Sequence, residues 1–204
     1  MMAYNIEFKE RVREKYIYDI IVSHGCVGYN SIKDLSLYYA VPSSTINTWV
    51  SNEGWYKARS LYIDILGCIV GYLWGKLIPR DQPDDMGLYK ERWGVVNAVI
   101  DEIIAKRVWK PFIDNIQKKL NTGLVRVESE DIKGPLLKSV NIISKHVIPG
   151  YLEAISLKEI DFIFSEIVKV VDGAGIKIDE DMLLGVVRPL KSNLKKPNWR
   201  FGKK

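Results

Sequence analysis

Apolar side chains recur along this chain at helical spacing, in stretches separated by Gly, Pro and Asn. Residues 6–24 set Ile6, Val12, Tyr16, Ile17, Ile20 and Ile21 against Lys9, Arg11, Arg13 and Lys15, with Glu7, Glu10 and Glu14 interleaved. This is the layout of an amphipathic helix with a solvated charged face, ending at Gly25 and followed by a Val27–Asn30 loop. Next, Ser31 and Asp34 stand at capping-box spacing before Ile32, Leu35 and Tyr39, which share one helical face. Ala40-Val41-Pro42 breaks that pattern, because the residue before a proline is pushed out of helical geometry. A second short helix can start at Pro42 or Ser43, with Ile46, Trp49 and Val50 inward.

Further along, residues 61–78 form the most apolar run, with eleven uncharged residues between Asp64 and Lys76, too few to span a bilayer. Gly67, Gly71 and Gly75 recur every fourth residue and so line one helical face, where a neighbouring backbone can come close. The nearby Gly71-Tyr-Leu-Trp-Gly75-Lys76 is not a phosphate loop: it has three residues between its glycines, not four, and no Ser or Thr after Lys76. Residues 79–87 read as a loop by their Pro, Asp and Gly content. Residues 88–121 carry the longest periodic pattern, including Val95, Val96, Val99, Ile103 and Ile104, with a kink expected at Pro111. Leu124–Ser129 alternates like a short strand. Helices are expected over 131–148 and 156–172, broken at Pro149-Gly150, with Ser156 and Glu159 capping the second. A short helix over 179–187 precedes a basic tail.

The expected fold is therefore all-α, in four parts. Residues 1–60 are a helix-turn-helix unit and 61–122 a helical hairpin for oligomerisation. Residues 123–187 form a helical region and 188–204 a tail. In the hairpin, Gly67, Gly71, Gly75, Val99 and Ile103 are the expected contacts between copies, since its broad apolar face alone exceeds what a monomer leaves wet. The competing reading is that the C-terminal helices cover that face.

Function enters through the second short helix. Ser43, Ser44, Thr45, Asn47, Thr48 and Ser51 face outward from its apolar stripe. Short hydroxyl and amide groups on such a helix suit the edges of bases in a major groove. Lys57 and Arg59 are placed to reach the flanking phosphates, and Trp55 reads as a core plug. A helical hairpin with no ligand is the plainer alternative.

The same residues carry a resemblance. Lys33-Asp34-Leu35, Val41-Pro42-Ser43-Ser44-Thr45-Ile46, Trp49 and Glu53-Gly54-Trp55 with Arg59 resemble the N-terminal helix-turn-helix of phage terminase small subunits. The likeness covers about thirty residues; beyond Arg59 only size and domain order are similar. It implies a DNA-binding homo-oligomer, assembled as a ring, that recognises double-stranded viral DNA for packaging. That subunit hands the DNA to a large terminase subunit carrying ATPase and nuclease, in the host cell cytoplasm. The alternative is a transcription or replication regulator acting as a dimer on half-sites one turn apart.

Charge sharpens the picture. The 204 residues carry a formal net charge of +5, unevenly spread. Residues 1–60 and 61–125 hold one net positive charge each, 126–187 four negative, and 188–204 seven positive. A module this weakly basic binds phosphate weakly on its own, so several copies acting together are expected. The tail's Trp199, Arg200 and Phe201 suit a docking peptide or a DNA-grazing arm; a solubilising tail is the alternative.

No catalytic, cofactor or metal site is expected. Cys26 and Cys68 match no disulfide framework or zinc spacing and read as small core residues in a reducing cytoplasm. His24 and His146 lack ligand-spaced partners. Asp84-Asp85 and Asp179-Glu180-Asp181 sit by turns and helix starts, where acids are usual. No secretory leader pattern opens the sequence, so the chain is expected to stay in the cell that makes it.

Overall fold

A computed structural model of the chain describes residues 4–23, 26–77, 86–120, 126–127, 129–146 and 157–178. Residues 79–85 of the expected 79–87 loop, the break at Pro149-Gly150, the cap at Ser156, the helix at 179–187 and the tail lie outside them. So do His24, Gly25 and the two acidic clusters. Met86 and Gly87 are helical.

The chain is mostly helical. Helix α1 (Ile6–Tyr18) starts at Asn5, whose side-chain oxygen accepts from the Phe8 N–H at 2.8 Å. It stops at Tyr18, short of the expected residue 24. Ile20, Ile21 and Val22 are 4%, 67% and 5% exposed, an alternation of period two. They belong to β1 (Ile20–Ser23), paired antiparallel with β2 (Cys26–Tyr29) so that Ile20 faces Tyr29 and Val22 faces Val27. Three β-branched residues in a row favour this pleated surface. A short apolar run does not by itself distinguish the two periods.

Helix α2 (Ile32–Tyr39) has the expected capping box: Ser31 Oγ accepts from the Asp34 N–H, and Asp34 accepts from the Ser31 N–H at 2.8 Å. Ala40 ends it at φ 52°, and Ser36 Oγ donates to the Val41 carbonyl at 2.7 Å across the turn. Helix α3 (Ser43–Asn52) follows Pro42, whose carbonyl accepts from the Thr45 and Ile46 N–H groups. Glu53 and Gly54, the latter at φ 67°, turn the chain into α4.

Helix α4 (Trp55–Leu77) is the axis of the fold and packs against α1 and α3. It also packs against α5 (Met86–Ala105), α6 (Lys110–Leu120) and α8 (Leu157–Gly173). It runs unbroken past residue 60, where a domain boundary was expected. Its 23 residues are long and apolar enough to cross a bilayer by length and composition, unlike the expectation from residues 65–75 alone. Leu61, Ile65, Leu66, Ile69 and Leu73 are nevertheless buried in the core.

The expected kinked helix over 88–121 is two helices. Residues 106–109 form a turn with Arg107 at φ 49°, and Pro111 falls in the first turn of α6, where it removes no helical bond. Helix α7 (Ser129–His146) packs on α5 and α6, and α8 packs on α4. The expected strand near 124–129 shrinks to β3 (Arg126–Val127), parallel to β4 (Lys177–Ile178).

An ionic network ties α1 to residues a hundred positions later. The buried Arg13 guanidinium pairs with Asp114 and Glu10, and donates to Gln117 Oε1 at 2.7 Å. Gln117 in turn donates to the Glu53 carbonyl at 3.0 Å, just past α3. Tyr18 and Lys110 both donate to Asp114 at 2.6 Å, and Arg107 pairs with Glu14. Burial opposes ionisation of Asp114, but the hydrogen bonds from Lys110, Tyr18 and Arg13 outweigh it and lower its pKa.

A second clamp joins α5 to α7: Glu102 pairs with Lys106, His146 and Lys145. Hydrogen bonds from Lys106 and His146, foremost among its contacts, hold the Glu102 carboxyl down at about 2.

Two outcomes follow. Trp55 is fully buried where α1, α3 and α4 meet, against Tyr16 and Trp49. Trp55→Ala should lower stability by about 3–5 kcal/mol in urea unfolding. Because Glu102 is more acidic folded than unfolded, its contribution is present above about pH 4.5 and lost as pH falls toward about 2. Unfolding curves across that range should show the decline, and Glu102→Gln should reduce its steepness.

Candidate nucleic-acid interface

The α3 sequence Ser-Ser-Thr-Ile-Asn-Thr-Trp-Val-Ser-Asn carries no charge, so its placement depends on its apolar side. Ile46 and Val50 are buried with Leu35 and Val41, and this seats α3 against α2 and α4. Trp49 is half-buried, with Tyr4 edge-on at 5.3 Å and the Lys9 ammonium 5.6 Å from its ring centroid. Lys9 also pairs with Glu53. The helix is thus gripped from α1 on one side and α4 on the other.

The opposite side is open. Ser43, Ser44, Asn47, Thr48 and Ser51 are exposed, and Thr45 is half-buried. Thr48 Oγ1 donates to the Ser44 carbonyl at 2.9 Å, which leaves its lone pairs outward as acceptors. These five side chains form one short polar face with amide and hydroxyl chemistry.

The two cations expected to flank that face divide. Lys57 is exposed. Arg59 is 8% exposed: its guanidinium lies 3.8 Å from the Tyr16 ring centroid and 4.3 Å from that of Tyr29, and donates to the Asn30 carbonyl at 3.2 Å. Arg59, expected on a phosphate, is instead an internal strut between α4, α1 and the β2 end. Two aromatic faces and one carbonyl use the side chain's reach.

Beside α3 runs a groove of about 730 Å³. The start of α2, the exposed edge of α3 and the start of α4 form its walls, with Arg59 among its lining. Lys33, Tyr29 and Tyr56 line it along with Asn47, Ser51 and Lys57. Sequence reasoning placed Lys33 in the resemblance but not among the DNA contacts, and gave no such role to Tyr29 or Tyr56. The one available signal was aromatic and basic residues side by side in Tyr56-Lys57, too common to single out.

The residues expected between copies also divide. Gly67, Gly71 and Gly75 lie on an exposed face of α4, where a Cβ would meet none of the described residues within 4 Å. Val99 and Ile103 are fully buried inside the protomer's own core. The apolar face of α4 and α5 is covered by α7 and α8, so these two side chains have no surface to offer another copy.

Among the described residues no three His, Cys, Asp or Glu side chains group as metal ligands. His146, which has no ligand-spaced partners in sequence, meets the single carboxylate of Glu102 from α5. Comparison of the chain with protein-family models, curated proteins and solved structures finds no match.

Proposed function

We propose that this chain is the DNA-recognition subunit of a viral genome-packaging motor, similar to a phage terminase small subunit. In this reading α2, Ala40–Pro42 and α3 are a helix-turn-helix, and α3 enters the major groove of double-stranded DNA. The observation that carries it is the uncharged exposed face of Ser43, Ser44, Asn47, Thr48 and Ser51 on a helix held rigidly from behind. Asn can pair two-fold with adenine, and hydroxyls accept or donate at any base edge.

Homo-oligomerisation is part of the proposal. A recognition helix without charge draws little affinity from phosphates, so several copies must act on one DNA. The open glycine face of α4 supports a close helix contact between copies. The assembled ring passes DNA to a large ATPase and nuclease subunit, and the C-terminal region is the natural contact for that partner.

The pair Asn47→Ala and Thr48→Ala should weaken binding to the DNA flanking the gene at least about tenfold in a gel shift, with the native mass unchanged. Gly71→Leu should break the assembly and, because a single copy grips poorly, weaken DNA binding with it. Its added side chain meets open space, so the protomer should melt as before or gain about 1 kcal/mol from helix propensity. Native mass spectrometry should show roughly eight or more wild-type subunits collapsing to smaller species. A clean wild-type dimer would favour an operator-binding regulator.

A further inference from the structure

The groove beside α3 differs in charge from three other grooves among the described residues. Those beside α1 and α6 are lined by carboxylates among their cations: Glu14 and Asp19 in one, Glu10, Glu53 and Asp114 in another. A fourth, between α4 and α8, includes Asp64. The described residues lining the α3 groove include Lys33, Lys57 and Arg59 and no carboxylate. Elsewhere cations meet acids within the protein, as Arg13, Lys15, Arg107 and Lys110 do. Here two exposed cations, Lys33 and Lys57, line one open space, with the buried Arg59 behind its wall.

Two tyrosines on its walls are exposed. Tyr56 and Tyr29 are 63% and 52% exposed. Tyr29 is held in place by the Arg59 guanidinium stacked on its ring, which in turn rests on buried Tyr16. Arg59 thus acts as a positioning residue here. The groove is continuous with the proposed reading face, because Asn47 and Ser51 belong to both.

We propose that this groove holds a phosphodiester segment of one strand of the same DNA. Lys33 and Lys57 neutralise its phosphates, and Tyr29 and Tyr56 wall its sugars. The inference rests on the helix-turn-helix reading and adds to it a backbone clamp from residues outside α3. It answers a difficulty of that reading: the recognition helix has no charge, so a neighbouring site must supply the electrostatic grip. Such a clamp fixes register on the duplex but reads no sequence. A lysine pair contributes through release of condensed counterions, which makes the salt dependence its signature.

The test uses the full chain and a fluorescent mixed-sequence duplex, with anisotropy followed from ~50 to ~200 mM salt. Lys33→Gln with Lys57→Gln should weaken binding about tenfold and flatten the log–log salt slope by about two. Lys33→Arg with Lys57→Arg should keep the slope, and Tyr56→Ala should weaken binding with the slope unchanged. All three substituted side chains are exposed, and unchanged circular dichroism and melting would exclude a folding defect. If the wild-type chain binds the duplex and the Gln pair binds with the same affinity and slope, the clamp is wrong and the recognition helix stands. If the wild-type chain binds no duplex at all, the reading beneath it fails too. Saturable binding of dAMP alone, lost in Tyr56→Ala, would overturn the strand in favour of a free nucleotide.

Discussion

Burial of α4 is the constraint on which the rest of this structure depends. A 23-residue helix with Leu61, Ile65, Leu66, Ile69 and Leu73 on its inner sides cannot leave them in water. Five other helices pack against it, drawn from both ends of the sequence. Its first turn carries Trp55, the plug beneath α3. Its later turns are covered by α5 and α8. What the surface offers is therefore whatever α4 does not bury: the polar side of α3, the groove beside it, and the glycine face.

That arrangement makes the N-terminal unit part of the whole. Arg13, Asp114 and Gln117 link α1 to α6, and Gln117 reaches the backbone at the end of α3. A buried guanidinium needs its carboxylate, because leaving either partner alone costs several kcal/mol. The consequence is geometric. The open face of α3 is referenced to a helix over sixty residues later, so the module does not hinge freely on a linker at residue 60. A set of copies joined through α4 would hold their α3 faces at fixed spacing.

The covering of the central hairpin and the opening of its glycine face belong together. Alpha helices 7 and 8 lie on the apolar side of α4 and α5, which removes the exposed greasy surface that would demand a partner. Gly67, Gly71 and Gly75 stay exposed on α4, with no described atom near where a Cβ would stand. A contact there rests on close backbone approach rather than on apolar area.

How much was legible in the chain depends on the range of the interaction involved. Local chemistry determined the Ser31–Asp34 capping box, the stop before Pro42, the inward Ile46 and Val50, and the outward Ser43, Ser44, Asn47, Thr48 and Ser51. Each follows from neighbours within one or two helical turns, and periodicity records it. The β1–β2 hairpin was missed because Ile20-Ile21-Val22 fits both periods until its partner strand is present. The burial of Arg59 between Tyr16 and Tyr29, of Val99 and Ile103 under other helices, and the convergence of Lys33 with Lys57 were decided only in three dimensions. Those contacts join residues far apart in sequence, and no spacing rule within one segment can encode which distant side chain will arrive to cover or to meet another.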